Sequence, residues 1–166
     1  MKAMKAMKAM KAISLIVLFC SITFCMNAQK VVTELHQEYN LKVYRLEYIT
    51  IENEGMKYIE IPPFSYKDLM EQNKKINAIF RKTLGKYICG LKNRLGVNIN
   101  ISTKGDILNI SLSVKKELAS NISNESFEIF ANEVKNHLII SDFLDLKKVS
   151  KKEGYCTIAF FVDRDK

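Results

Sequence analysis

The chain has 166 residues, 48% of them hydrophobic, with 26 lysines and arginines against 18 aspartates and glutamates and a formal net charge of +8. This length and apolar content are sufficient for one globular domain with a sizeable core. The basic residues are diluted among acidic ones and do not form a basic stripe with stacking aromatics, so the composition argues against a nucleic-acid-binding protein.

The first 28 residues predict an export signal. Four copies of Met-Lys-Ala bring four lysines, and the segment from Ile13 to Cys25 that follows has no charged side chain. A charged region followed by a short apolar run is the pattern of a signal peptide, and the run is shorter than the roughly 20 residues that a membrane-spanning helix needs. We expect cleavage near Ala28, residues 29–166 as a single mature domain, and no membrane span.

The sequence allows alternatives for the methionine at which translation starts and for the way in which this signal is processed. Translation from Met10 would by itself give a complete short signal, so the preceding copies need no structural role. Lipidation of Cys20 or Cys25 is the alternative to cleavage near Ala28, but the bulky Phe19 and Phe24 precede the two cysteines. We therefore favour a periplasmic or secreted protein of a Gram-negative bacterium over a lipoprotein. Because residues 1–28 hold four basic residues and no acidic one, the mature net charge falls from +8 to +4.

The first half of the mature chain predicts a hairpin and a helix. Residues 41–52 are rich in β-branched and aromatic side chains, and an extended pattern resumes at residues 56–61 after turn residues at 53–55. Pro62 and Pro63 then end the second run. Ser65, with Asp68 three residues later, resembles a capping box, and apolar residues at helical spacing follow as far as Leu91. We expect this helix to bend or end near Gly85 or Gly90.

The second half contains the clearest hairpin, followed by a helix and a strand. Apolar residues alternate with polar ones at residues 97–102 and again at 108–114, on either side of a Lys-Gly-Asp turn. A helix capped by Ser123 or Asn124 follows, and Tyr155 to Val162 is apolar enough for a central strand. The chain therefore predicts an α+β fold in the order β-β-α-β-β-α-β, an antiparallel sheet with helices packed on one face.

Strict alternation in this hairpin leaves one face of the sheet wet, and it is the candidate binding face. Its polar residues are Asn98, Asn100, Ser102, Asn109, Ser111 and Ser113. Two cysteines, Cys89 and Cys156, remain in the mature chain, in a compartment where disulfides form. They are either one disulfide bridge or two small buried apolar residues, since both have apolar neighbours.

Three segments together resemble the C-terminal domain of TonB-type energy transducers. They are "VNINISTKGDILNISLSV", "NESFEIFANEVKNHL" and "YCTIAFFVDR", a hairpin, a helix and a final strand within residues 94–163. The resemblance implies binding of an envelope protein by strand addition at a sheet edge. The sequence lacks the membrane helix, the proline-rich spacer and the proline motif after the helix that are typical of the family. It therefore predicts a stand-alone relative of the domain that does not transduce energy.

Catalysis is the rival class of function. The mature chain has two histidines, His36 and His137, and contains no nucleophile elbow, no paired-ligand metal motif and no phosphate-binding glycine loop. We predict a non-catalytic binding module without a metal or cofactor. The alternative is a secreted small-molecule-binding protein or hydrolase, which would need a pocket between helix and sheet.

Overall fold

The computed structural model describes residues 29–49, 51, 55–61, 66–88, 95–149 and 153–162. Within these residues, five strands form one antiparallel sheet in the order β1-β2-β4-β3-β5. The strands are β1 (Lys30–His36), β2 (Leu41–Glu47), β3 (Leu95–Ser102), β4 (Ile107–Lys115) and β5 (Tyr155–Val162).

Two long helices cover one face of this sheet, α1 (Leu69–Thr83) and α2 (Asn124–His137). The remaining helical segments are single turns: Gln37–Tyr39, Gly85–Tyr87, Lys116–Ala119, Ile140–Phe143 and Leu146–Val149. The predicted α+β class and the order β-β-α-β-β-α-β are confirmed.

The core lies between the helices and the apolar face of the sheet. Alternate residues of the central strands are buried there, for example Val97 and Ile99 on β3. Phe80 of α1 meets Phe130 of α2 edge to face, with ring centroids 6.0 Å apart. The two helices therefore bury their apolar stripes against each other and against the sheet at the same time, as the helical spacing of these residues requires.

Side-chain caps fix where both helices begin. Ser123 accepts a hydrogen bond from the backbone N–H of Ser126 at 3.1 Å, so the cap predicted for α2 is confirmed. At α1 the capping residue is Asp68, whose carboxylate accepts from the backbone N–H of Met70 at 2.9 Å. The sequence predicted this cap at Ser65, which lies outside the described residues, so the cap of α1 lies three residues later than predicted. Each cap satisfies N–H groups that have no partner within the helix.

The first hairpin differs from the prediction. Strand β2 pairs with β1, which the sequence analysis did not assign, and on its other side with β4. Residues 56–61 do not continue as a strand beside β2, and Tyr58 makes an isolated parallel bridge to Tyr155 of β5. Asn40, with φ of 51°, reverses the chain before β2, a left-handed conformation that asparagine tolerates. The interpretation of residues 41–61 as a hairpin is therefore wrong, and a local turn signal was mistaken for strand pairing.

Strand β5 is also placed differently from the prediction. Its apolar density indicated a central strand, yet β5 lies at the edge of the sheet, beside β3 alone. Side chains of α1 and the segment around Tyr58 lie against its outer side. Burial of β5 therefore comes from elements at the edge and not from a second neighbouring strand.

Candidate binding surfaces

The polar face of the sheet lies opposite the helices and brings five predicted residues into register. Asn98 is paired with Ser111, Asn100 with Asn109, and Gly96 with Ser113 across the β3–β4 ladder. The Thr157 hydroxyl donates to the Asn100 side-chain oxygen at 2.6 Å. These pairs place amides and hydroxyls in a continuous row from β4 to β5, as strict alternation predicts.

Charged side chains continue this face at its β2 end. Arg45 is paired with Ser111 in the sheet and forms ion pairs with Glu34 of β1 and with Glu47. Asn109 belongs to the same face but is only 3% exposed. The Thr157–Asn100 hydrogen bond and the Arg45 ion pairs thus engage part of this face within the protein, and the face is not an evident ligand site.

Ser102 does not belong to this open row. Its hydroxyl accepts hydrogen bonds from the backbone N–H groups of Lys104 and Asp106, at 3.2 and 3.0 Å, and lies 3.2 Å from the Asp106 carboxylate. Only 2% of its surface is exposed. Its position in the structure is that of the residue that closes the β3–β4 turn, where serine hydroxyls commonly bind the backbone.

The outer edge of β5 is covered at both ends. At its start, the Tyr155 N–H donates to the Lys57 carbonyl at 2.9 Å, and the Ile59 N–H donates to the Tyr155 carbonyl at 2.7 Å. At its far end, the Phe161 N–H donates to the Asn73 side-chain oxygen at 3.2 Å, and the Asn77 amide donates to the Phe161 carbonyl at 3.0 Å. Asn73 and Asn77, one helical turn apart on α1, thus act together as a substitute for a neighbouring strand.

Edge-facing backbone groups alternate along an antiparallel strand. Those of β5 therefore belong to residues 155, 157, 159 and 161, and two of these four residues are already bonded to other segments. The uncovered stretch consists of Thr157 and Ala159. This stretch is too short for an added strand of ordinary length.

The opposite edge of the sheet is β1. It pairs with β2 along its whole length, from Lys30–Glu47 to His36–Leu41. No residue in the described part of the chain pairs with its other side. Leu35 is 46% exposed near the end of this strand. Among the described residues, alternate backbone groups of β1 thus form a longer unpaired edge than those of β5, in a strand that sequence patterning had not identified.

A groove of about 780 Å³ runs between α1 and β5. Its apolar lining includes Leu69, Ala78 and Phe160, together with two large exposed side chains, Met70 and Phe161. The charged side chains that line it, Lys74 and Arg81, are both cationic. Met70, Lys74, Ala78 and Arg81 recur at three- and four-residue spacing and therefore share one face of α1, a sequence pattern that could have indicated this groove.

The histidines and the cysteine that the structure describes lie away from this groove. His36 is 3.6 Å from Glu34, and His137 is 3.8 Å from Glu133, and both histidine side chains are about half exposed or more. The residues of the described ranges contain no group of three or more histidines, cysteines and acidic residues able to hold a metal ion. The histidines therefore form surface contacts with a glutamate of their own element.

Cys156 is a buried free thiol that contacts the Ile101 carbonyl at 3.6 Å. Burial raises the pKa of this thiol to about 11, so the thiol is protonated and unreactive at neutral pH. Cys89, its predicted disulfide partner, lies outside the described residues, and the bridge stays a prediction.

Comparisons with known proteins bear on the fold alone. No protein-family model and no curated protein matches this chain. A similar solved structure is the crystal structure of a DUF5043 family protein from Bacteroides uniformis ATCC 8492, with a TM-score of 0.53 and 12% identity over 82% of this chain and 81% of that chain. At this identity the likeness shows a shared fold. The resemblance of residues 94–163 to TonB-type domains stays a prediction.

Among the residues that the structure describes, no helix is long and apolar enough to cross a membrane. The predicted signal, residues 1–28, lies outside those residues.

Proposed function

We propose that this protein is an exported, non-catalytic envelope module that binds another protein by strand addition along β1. One observation carries the proposal: the outer side of β1 forms no backbone hydrogen bond with another described segment, whereas β5 is covered at both ends. An extended peptide beside β1 would gain main-chain hydrogen bonds to alternate residues of a seven-residue strand, which is about 23 Å long.

Two further features support this proposal. The resemblance of residues 94–163 to TonB-type C-terminal domains implies the same mode of binding. This chain would then be such a domain with an added N-terminal hairpin. The signal pattern of residues 1–28 favours an export route, with cleavage near Ala28, and so a partner in the envelope. The exposed Leu35 and the mixed charges of Lys30 and Glu34 offer side-chain contacts that would select this partner.

Site-specific photo-crosslinking in the native envelope tests the proposal. A photoreactive residue at Thr33 of β1 should capture a partner of one defined mass, and the same residue at Lys82 on α1 should not. Both side chains are exposed, so the two positions are matched in accessibility.

Proline substitution then separates backbone pairing from side-chain contact. Neighbouring β1 residues point their N–H groups to opposite sides, so one of Val32→Pro and Thr33→Pro removes an outward N–H and leaves the β1–β2 ladder intact. We expect the variant that stays folded to lose the captured partner. Strand addition at β1 would be refuted by equal capture from Lys82, by no capture from Thr33, or by capture that the proline substitution leaves unchanged.

A further inference from the structure

The groove between α1 and β5 combines an apolar lining with charge of a single sign. Met70 is 71% exposed and Phe161 is 55% exposed, so two large apolar side chains meet water at this groove. Both border the same cavity of about 780 Å³. A ligand that covers them would remove apolar surface from water, which favours binding.

The charges at the groove indicate the sign of the ligand. Lys74 and Arg81 line it, and no acidic side chain does. The nearby Glu71 points its carboxylate at Lys75, 3.5 Å away, and neither residue lines the groove. Arg81 has a further contact within the protein, so Lys74 is the residue that we assign to an anionic group of the ligand. An anionic group in the groove would be attracted by both Lys74 and Arg81, whereas a cationic group would be repelled.

The polar groups inside the groove are already satisfied. Asn73 and Asn77 bond the Phe161 backbone, as described for the β5 edge. A ligand therefore gains little binding energy from a polar group in the middle of its chain. A peptide strand would have to displace both amide side chains before it could pair with the Phe161 backbone. These contacts argue for a ligand with an apolar body and one anionic head, and against an extended peptide.

The length of the groove sets the size of this body. From Met70 to Arg81, eleven residues of α1 extend about 16 Å, at about 1.5 Å per residue. A staggered alkyl chain with C–C bonds of about 1.5 Å advances about 1.3 Å per carbon, so a chain of up to about 12 carbons fits within that span.

We propose that this groove binds a free single-chain alkyl carboxylate, with the chain on the apolar lining and the carboxylate at Lys74. The proposal is independent of strand addition at β1, because β1 and β5 lie at opposite edges of the sheet. Variants in one site leave the other unchanged, and failure of either proposal is therefore distinguishable from failure of the other.

Calorimetric titration of the mature protein with octanoate, decanoate and dodecanoate, each below its micellar concentration, tests the proposal. Affinity should increase about two- to fourfold per added methylene, as partial to full burial of each group predicts. Decyltrimethylammonium, with a chain of similar length and the opposite charge, should bind at least about fivefold more weakly than decanoate. Equal affinity for the cation, or no dependence on chain length, would overturn the proposal.

Two variants locate the ligand. Ala78 is exposed and lines the groove, so Ala78→Trp should fill the cavity without disturbing the core and should abolish decanoate binding. Lys74→Glu should weaken binding about fivefold or more, whereas Lys82→Glu, the same charge change on α1 outside the groove lining, should leave it within about twofold. Binding unaffected by Ala78→Trp, or weakened equally by both glutamates, would contradict this location.

A membrane surface and a free ligand are separated by sedimentation with phosphatidylglycerol vesicles. A cavity with two cationic side chains is a weak electrostatic site for a bilayer, which is typically recognised by clusters of four to eight basic residues. We expect the protein to stay in the supernatant at the lipid concentration that saturates decanoate binding. Cosedimentation that Met70→Ser or Phe161→Ser abolishes would identify the bilayer as the target and overturn the proposal of a free carboxylate.

Discussion

Replacing Tyr44 by phenylalanine deletes one hydroxyl group at the centre of the fold and changes side-chain volume very little. Tyr44 is fully buried, and its hydroxyl lies 2.7 Å from the carbonyl of Ala119 and 3.0 Å from that of Ile122. Both carbonyls belong to residues that are less than 5% exposed. The Ala119 carbonyl also accepts from the Ile122 N–H at 3.2 Å, so the variant would leave the buried Ile122 carbonyl without this donor, in a part of the chain that water does not easily reach.

The expected cost follows from these contacts. A buried acceptor left unsatisfied costs about 1–3 kcal/mol, so we expect Tyr44→Phe to reduce the free energy of unfolding by about 2 kcal/mol. For a domain of this size that corresponds to a melting temperature lower by about 5–8 °C. Urea denaturation followed by circular dichroism should show a lower midpoint with an unchanged slope, because the surface exposed on unfolding is the same.

Tyr39→Phe is the matched control, since Tyr39 is 70% exposed and its loss of a hydroxyl should leave stability within about 0.5 kcal/mol of the parent. A Tyr44→Phe variant as stable as Tyr39→Phe would refute the reasoning. It would mean that the Ile122 carbonyl gains another donor at no cost, and that this hydroxyl does not anchor the turn before α2.

Two other predictions concern stability. Because burial raises the Cys156 pKa from 9.0 to about 11, the unfolded chain releases this proton first, and stability that is complete below pH 9 should be lost as the pH rises to 11. Under reducing conditions, Cys156→Ala should lack that part of the decline in urea titrations, and an identical decline in both proteins would contradict the assignment. Gly105 has φ of 96°, and an added Cβ would lie 2.9 Å from a methyl group of Leu146, so Gly105→Ala should lower stability by about 1–3 kcal/mol. In Gly96→Ala the added Cβ meets nothing within 4 Å, so this variant should cost clearly less, and equal costs in thermal melts would exclude backbone strain at Gly105 as the explanation.

The fold was predictable wherever the signal is local. The alternation of residues 97–102 and 108–114 identified β3, β4 and their polar face, and five of the six polar residues named from the sequence share that face. The Ser123 cap and the apolar spacing that follows it identified α2. In each case the periodicity of the side chains is the periodicity of the backbone, so a short window of sequence contains the whole argument.

The candidate sites were less predictable, because they are made of contacts between distant segments. Ser102 alternates correctly with its neighbours, but its hydroxyl forms hydrogen bonds within the turn. The strand register also shifts next to it, between Asn100 and Ile101. Asn73 and Asn77 read as ordinary polar residues of a helix until β5 is placed beside them. A strand edge and a groove have no sequence period of their own.

By itself, the sequence determined the main strands and the long helix in the second half of the chain, where α2 begins, and which strand faces are apolar. Only the tertiary structure decided that β2 pairs with β1, that β5 lies at an edge, and that α1 closes that edge while leaving a groove beside it. The physical reason is that strand pairing uses N–H and C=O groups that nearly every residue carries. Which strands meet is therefore chosen by the packing of the whole chain and not by any short part of it.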